Sequence, residues 1–301
     1  MSVSRVKMTS DDLEVSRIVA GFWRLNEWAM TTPELQSFIA ELLDLGLTTM
    51  DHAFVYKSES PFGAALKADP SLRNRMEIVS KFGICPTGFG ALGANTTNHY
   101  NSSATYLKQS VDYTLQELNT DYVDVMLVHR PDYLMRVDEL ARAFEDIVSA
   151  GKVRFFGVSN FTASQFDLLK SSTSLPLVTN QIECSPLCLE PLDNGVLDQC
   201  QQYGVKPMFW SCLAGGKLVT GSDERSVRVR AALSLIAEEL GAQTIEQVIF
   251  AWLLMHPSQP LAIVGSSKIE RIRSAVAAES LTLTREHWYA VWEASMGHRV
   301  P

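Results

Sequence analysis

The chain has 301 residues, 46% of them hydrophobic and 20% charged, with 26 lysines and arginines against 34 aspartates and glutamates for a formal net charge of −8. Such proportions fit a globular protein large enough to bury a substantial core, and the acidic balance argues against nucleic acid as a partner, because phosphate binding wants a basic face. No apolar run approaches the roughly 18 residues of a membrane span, and the opening MSVSRVKMTSDDLE lacks the apolar heart of a signal peptide, so a cytoplasmic protein is expected.

In chain order, residues 3–8 and 13–17 predict a hairpin around the turn Thr9-Ser10-Asp11-Asp12. A pattern then recurs: a short apolar run, a polar loop and an amphipathic stretch. The runs fall at 18–21, 47–50, 76–80, 123–128, 153–158, 177–182, 205–210 and 261–264. The amphipathic segments fall at 33–45, 61–68, 104–118, 137–150, 162–171, 194–203, 244–256 and 268–279. Pro33 opens the first helix, as its fixed φ favours. Gly151 and Lys152 close the fourth, as a glycine and a cation should at a helix C-terminus.

Strands that alternate with helices pair in parallel through right-handed crossovers. Eight such units in this length predict an α/β fold, a (β/α)8 TIM barrel with an N-terminal β-hairpin. No linker or low-complexity block interrupts the pattern, so residues 1–301 are expected to form a single domain.

After the third run, Gly88, Gly90 and Gly93 spell G-x-G-x-x-G, the spacing of a dinucleotide-binding turn. That turn works only when the third glycine opens a helix whose N-terminus holds a pyrophosphate. Here the glycines run into the polar stretch 94–103, and the next helix begins near Ala104. A mobile loop is the better reading, and it is longer than a βα connection needs.

In a barrel of this kind chemistry sits at the C-terminal ends of the strands. Those ends carry Asp51, His52 and Tyr56; Lys81; His129, Arg130 and Asp132; Ser159 and Asn160; Gln181 and Glu183; Trp210 and Ser211; and Ser266, Ser267 and Lys268. An ammonium beside a phenol stabilises the phenolate and lowers its pKa from about 10. A buried ammonium in turn needs a carboxylate. Asp51, Lys81 and Tyr56 can therefore make a proton donor, with His129 orienting a substrate oxygen. Equally, Asp51 and Lys81 can form a structural ion pair with Tyr56 on the rim. The six histidines show no H-x-H or H-E-x-x-H, and five cysteines without C-x-x-C suggest reduced thiols, so no metal is expected.

Several stretches, matched in order, resemble the aldo-keto reductase family, in its bacterial oxidoreductase branch. They are DHAFVY (51–56), IVSKFG (78–83), LNTDYVDVMLVHRPD (118–132), GKVRFFGVSNF (151–161), TNQIECSPL (179–187), WSCLAGGKL (210–218) and IVGSSKIERIR (263–273). The resemblance implies a catalytic tetrad of Asp51, Tyr56, Lys81 and His129, and hydride transfer between a nicotinamide coenzyme and an aldehyde or ketone without a metal. Tyr56 would be the general acid and base, Lys81 would tune it, Asp51 would hold Lys81, and His129 would position the substrate.

The resemblance also implies coenzyme contacts. Ser159, Asn160 and Gln181 would meet the nicotinamide carboxamide, and Trp210 its ring. Ser211, Leu213, Gly215, Gly216 and Lys217 would line the pyrophosphate. Ser266, Ser267 and Arg271 would meet the adenosine end, where a guanidinium and two hydroxyls favour NADP(H) over NAD(H). Gly265 stands where many members have a lysine, and Lys268 is the available substitute. His52 replaces a usual small residue and is expected to turn into packing.

Trp23, Phe54, Phe82 and Trp210 are the aromatics expected to wall a small-molecule carbonyl pocket, with Trp28 a further candidate. The alternative function is an NADP(H)-binding sensor of the same fold with little catalysis. A metal-dependent hydrolase using Asp51, His52, His129 and Asp132 is the third reading.

Overall fold

The computed structural model describes residues 2–8, 13–89, 92–93 and 95–301. At the N-terminus β1 (Arg5–Lys7) and β2 (Glu14–Ser16) pair antiparallel with Val6 opposite Val15. This is the expected hairpin, its turn at 9–12 lying outside the described residues. Strands β3 (Ile18–Gly21), β4 (Thr49–Asp51) and β5 (Glu77–Phe82) follow. Then come the short β6 (Ile84–Cys85) and β7 (His99–Tyr100), and the longer β8 (Val123–Val128), β9 (Val153–Ser159), β10 (Leu177–Glu183), β11 (Met208–Trp210) and β12 (Leu261–Val264). β3, β4, β5, β8, β9, β10, β11 and β12 close into one parallel barrel in chain order, with β12 returning to β3.

The helices between the strands are α1 (Thr32–Asp44), α2 (Glu59–Ala68), α3 (Ala104–Leu118), α4 (Val137–Ser149), α5 (Ala163–Lys170), α6 (Glu190–Asp193), α7 (Val196–Tyr203), α8 (Lys217–Thr220), α9 (Glu224–Leu240), α10 (Ile245–Leu254), α11 (Ile269–Ala277) and α12 (Arg285–Met296). α1 shows how the sequence builds one. Thr31 and Glu34 close a reciprocal capping box and Pro33 sits in the first turn. Leu35, Phe38, Ile39, Leu42 and Leu43 then repeat at helical spacing and are buried against the barrel. Each such side chain contributes about 1.5–3 kcal/mol on leaving water.

Strand alternation divides the core in two. Val19, Val79, Val125, Leu127, Val178, Met208 and Leu261 point into the barrel, and Met8, Leu13 and Val15 join that same cluster. The hairpin therefore packs against the barrel interior. The outward residues of the same strands, such as Ile78, Phe82, Met126 and Val128, join the larger cluster under the helices.

Sequence periodicity missed α9. Its buried Val229, Leu233, Ile236 and Ala237 have helical spacing, but exposed Leu235 and the intervening charges blur the stripe. It packs on α12, where the Arg225 guanidinium donates to Ser295 Oγ at 2.8 Å.

The glycine segment is a hydrogen-bonded arm. β6 and β7 pair antiparallel, Asn101 N donates to Gly83 O at 2.9 Å, and Gly88 N donates to Asn95 O at 3.0 Å. Gly90 lies outside the described residues. Among the described residues no helix starts at Gly93; the next one is capped by Ser103, so the described part of the segment offers no helix N-terminus to a phosphate. Among the described residues no helix is long and apolar enough to cross a membrane.

Candidate active site

Asp51 ends β4, Lys81 is the penultimate residue of β5, and His129 immediately follows β8. Inward-pointing positions at the ends of neighbouring strands bring them together. Tyr56 arrives from a single 3-10 turn, Phe54–Tyr56, after β4. That turn is tied down by Asn26, whose Nδ2 donates to the carbonyls of Tyr56 and Lys57, both at 3.2 Å.

Lys81 is fully buried. Its Nζ donates to Asp51 Oδ2 at 2.7 Å and to the His52 carbonyl at 2.6 Å. It also lies 5.0 Å from the centroid of the Tyr56 ring. Burial works to strip the ammonium of its proton, but the Asp51 carboxylate and the Tyr56 phenol outweigh it and the pKa stands above the ordinary lysine value.

For Tyr56 the balance departs from the sequence expectation. Burial raises the phenol pKa above 10 and is the largest influence, while Lys81 acts to lower it, Asp51 to raise it and Arg130 to lower it. Lys81 thus opposes a shift it does not reverse, and the phenol stays protonated at neutral pH.

His129 Nε2 faces Tyr56 Oη at 3.4 Å. Burial, Lys81 and Arg130 together hold the imidazole pKa well below 6.5, so the ring is neutral. His52 is fully buried, stacked on Phe22 at 4.9 Å between ring centroids and bonded through Nδ1 to Ser58 Oγ at 3.0 Å. Burial presses its pKa down to about 3. Its ring belongs to the packing, and only its carbonyl touches the cluster.

A hydrogen-bond chain continues around the mouth. Trp210 Nε1 donates to Asn160 Oδ1 at 3.2 Å, Asn160 Nδ2 to Ser159 Oγ at 2.7 Å, and Ser159 Oγ to the Gln181 carbonyl at 2.9 Å. Asn160 takes a left-handed conformation to do this, while Thr162, not Asn160, caps α5. The Gln181 side chain donates to Asp51 Oδ1 at 2.8 Å, so it helps hold the carboxylate that holds Lys81.

Beyond β11 the backbone turns at Ser211, Ala214, Gly215 and Gly216, all with positive φ. A Cβ at Gly215 or Gly216 would meet nothing within 4 Å. Glycine is needed there for conformation rather than for space. The turn borders a cavity of about 380 Å3 lined by Ser211, Ala214, Gly215 and Lys217 together with Asp223, Arg225, Ser185 and Cys188. Leu213 accepts the Gly216 amide at 2.9 Å within the same turn.

From β12 the chain passes through Gly265, Ser266 and Ser267 to Lys268, the N-cap of α11, whose side chain makes no capping bond. Lys268 N donates to Ser266 Oγ at 3.1 Å, and Lys268 and Arg271 are exposed. An open helix start with two hydroxyls and two cations is chemically suited to a phosphate. In their chemistry these three groups suit a dinucleotide.

Trp23 lies at the mouth, 64% exposed, with its ring 6.3 Å from that of Tyr56. Two other expected pocket residues do not reach it. Phe82 points outward because Lys81, its neighbour on the strand, points inward. Phe54 packs edge-on against Phe89 and Tyr113, each 5.0 Å away, on the side of the turn that borders a separate cavity of about 350 Å3. Trp28 packs between Phe22 and Phe38. Asp132 accepts from the amides of Ser102 and Leu134, both at 2.9 Å, as a loop anchor does.

Sequence reasoning overlooked Asp223 and Arg225, which open the unforeseen α9, and gave Arg130 no role although it directly follows His129 at a strand end. It also passed over Glu59 of α2, buried behind Lys81 and bonded to Ser80 Oγ and, at 3.1 Å, to Thr114 Oγ1. Burial, partly offset by those two hydroxyls, raises its pKa to about 7. The folded pKa exceeds the ordinary glutamate value of about 4.5, so this group's stabilising contribution is complete below about 4.5 and is lost as pH rises through 7. Glu59→Gln is therefore expected to gain about 2–3 kcal/mol relative to the wild type between roughly pH 5 and pH 8. Urea unfolding at the two pH values checks this, and an unchanged difference would contradict it.

Comparison with known proteins identifies the family. Residues 17–295 match the model of the Aldo/keto reductase family. The chain is 49% identical over 302 residues to "Oxidoreductase YdhF" of Escherichia coli (strain K12), covering 99% of this chain and 100% of that one. It is 40% identical over 295 residues to a "6-dehydroglucose reductase" of Agrobacterium fabrum, covering 97% and 98%. Among solved structures, a thermostable aldo-keto reductase, Tm1743, crystallised with the inhibitor epalrestat, superposes with a TM-score of 0.80 at 25% identity over 97% of this chain and 99% of that one. The fold and the matched relatives are those of a nicotinamide-dependent oxidoreductase acting on carbonyl or alcohol groups. The chain belongs to the aldo/keto reductase family.

Proposed function

We propose that residues 1–301 act as one barrel domain that reduces aldehydes and ketones with NADPH, and that Tyr56 is the general acid in that direction and the general base in reverse. The observation that carries this reading is the buried Asp51–Lys81 pair set against a protonated Tyr56, itself facing a neutral His129. An acid must hold its proton before it can give it, and burial keeps the phenol protonated. The Tyr56 O–H bond breaks as its proton passes to the substrate oxygen, and Lys81 stabilises the phenolate that remains. His129, neutral and with Nε2 toward Tyr56, orients the same oxygen by a hydrogen bond.

Ser159, Asn160, Gln181 and Trp210 are the residues to hold the nicotinamide, the 211–217 turn the pyrophosphate, and Ser266, Ser267, Lys268 and Arg271 the adenosine phosphate. When bound, the coenzyme supplies the hydride for the carbonyl carbon. A sensor of the same fold needs no proton donor, and the assembled tetrad favours catalysis.

Mixing the protein with NADPH and a panel of aldehydes tests the proposal: coenzyme consumption supports it, whereas tight binding with no consumption would favour the sensor. The coenzyme preference has its own test. Arg271→Ala is expected to weaken NADPH about tenfold or more, a loss typical of a charge-assisted phosphate contact, and NADH much less. Fluorescence titration of both coenzymes reads this, and equal weakening would remove Arg271 from the 2′-phosphate.

A further inference from the structure

One cation at the barrel mouth has no task in the chemistry above. Arg130 follows His129 and is half-buried, with its guanidinium 5.8 Å from the centroid of the Trp210 ring. Its charge reaches both Tyr56 and His129. Among the described residues no carboxylate pairs with it. The acid closest in sequence, Asp132, is engaged by the Ser102 amide and hydroxyl and by the Leu134 amide.

Scarcity of acids does not explain the vacancy. Acidic residues outnumber basic ones 34 to 26, and other arginines have found them: Arg73 meets Asp124 at 2.9 Å, Arg5 meets Glu77 at 2.8 Å and Arg273 meets Glu41 at 2.8 Å. A second guanidinium, Arg24, stacks 5.1 Å over the ring of Trp23, and Trp23 adjoins Tyr56. The mouth thus carries cations on aromatic platforms where the substrate must enter.

We propose that Arg130 is a specificity-determining residue that selects carbonyl substrates bearing an anionic group, foremost a carboxylate. This inference rests on the carbonyl-reductase reading of the same site. A guanidinium offers a planar fork that matches a carboxylate in two parallel hydrogen bonds. Half-buried above an indole, it is less screened by solvent than a surface arginine. The neighbouring Tyr56 and His129 leave the carbonyl oxygen provided for, so the cation is free for the far end of the substrate.

The test compares 4-carboxybenzaldehyde with its near-isostere 4-carbamoylbenzaldehyde as substrates with NADPH. The carboxamide withdraws electrons more strongly, so intrinsic reactivity runs against the expected preference. Wild-type kcat/KM is expected to favour the acid by about tenfold or more, chiefly through KM, as for a charge-assisted bidentate contact. That preference shrinks as sodium chloride is raised.

In Arg130→Met and Arg130→Gln the acid-to-amide ratio falls toward one, and Arg130→Lys restores part of it. A wild-type ratio near one, or variants in which both substrates fall in parallel, overturns the assignment. So does a loss confined to NADPH affinity by fluorescence titration, since Arg130 would then serve the coenzyme. Reduction of the amide without preference for the acid leaves the reductase reading standing and sinks this one. Reduction of neither aldehyde sinks both.

Discussion

Tyr56→Phe is expected to lower turnover with aldehydes by about 10²–10⁴ while NADPH affinity stays near the wild-type value. The substitution removes one oxygen and keeps the ring, which packs 6.3 Å from Trp23 and 5.5 Å from His129 between centroids. Stability is therefore not expected to fall. The loss appears in kcat, since the missing proton matters only once the carbonyl is being reduced. Steady-state rates and a coenzyme titration on the same preparation check both halves. In the wild type, reduction slows as pH rises through the phenol pKa, because only the protonated form is an acid. The Phe variant loses that limb.

Lys81→Met should have the second large effect, on stability and rate together. Lys81 is fully buried against Asp51, whose side chain is itself 6% exposed. Removing the ammonium leaves Asp51 an uncompensated buried charge, at a cost of about 3–5 kcal/mol. It also removes the charge that works to lower the Tyr56 pKa, so turnover falls as well. The double variant Lys81→Met with Asp51→Asn separates the two effects. Stability returns because no charge is left buried, whereas activity does not. Urea unfolding and aldehyde turnover measured on both proteins read this out. A Lys81→Met protein as stable as the wild type would show that the pair is not the buried element described above, and recovery of turnover in the double variant would remove Lys81 from the chemistry.

The sequence was most legible where period and position agree. Short apolar runs separated by amphipathic ones placed all eight barrel strands within a few residues, and the rule that chemistry gathers at their C-terminal ends singled out Asp51, Tyr56, Lys81 and His129 among other polar residues, while only the family resemblance implied that they act as a tetrad. The less legible features have physical causes. Phe82 adjoins Lys81 in sequence, but consecutive strand residues face opposite sides, which sends Phe82 under the helices. Phe54 sits two residues before Tyr56 on a 3-10 turn, and that turn aims the two rings apart.

The Gln181 bond to Asp51 spans 130 positions and leaves no local trace. The sign of the Tyr56 shift needed burial as well as neighbours, because desolvation outweighs the nearby ammonium. Helix α9 was hidden by its exposed leucine and its charges, and with it went Asp223 and Arg225 on the cavity beside the 211–217 turn.

The reading proposed above has the phenol of Tyr56 deliver the proton that completes carbonyl reduction. Its most direct test is the single-turnover rate of NADPH oxidation by an aldehyde, followed in H2O and in D2O for the wild type and for Tyr56→Phe. A solvent isotope effect in the wild type that is lost in the slower variant is the predicted result. An equal isotope effect in both proteins, or an undiminished rate in the variant, would contradict it.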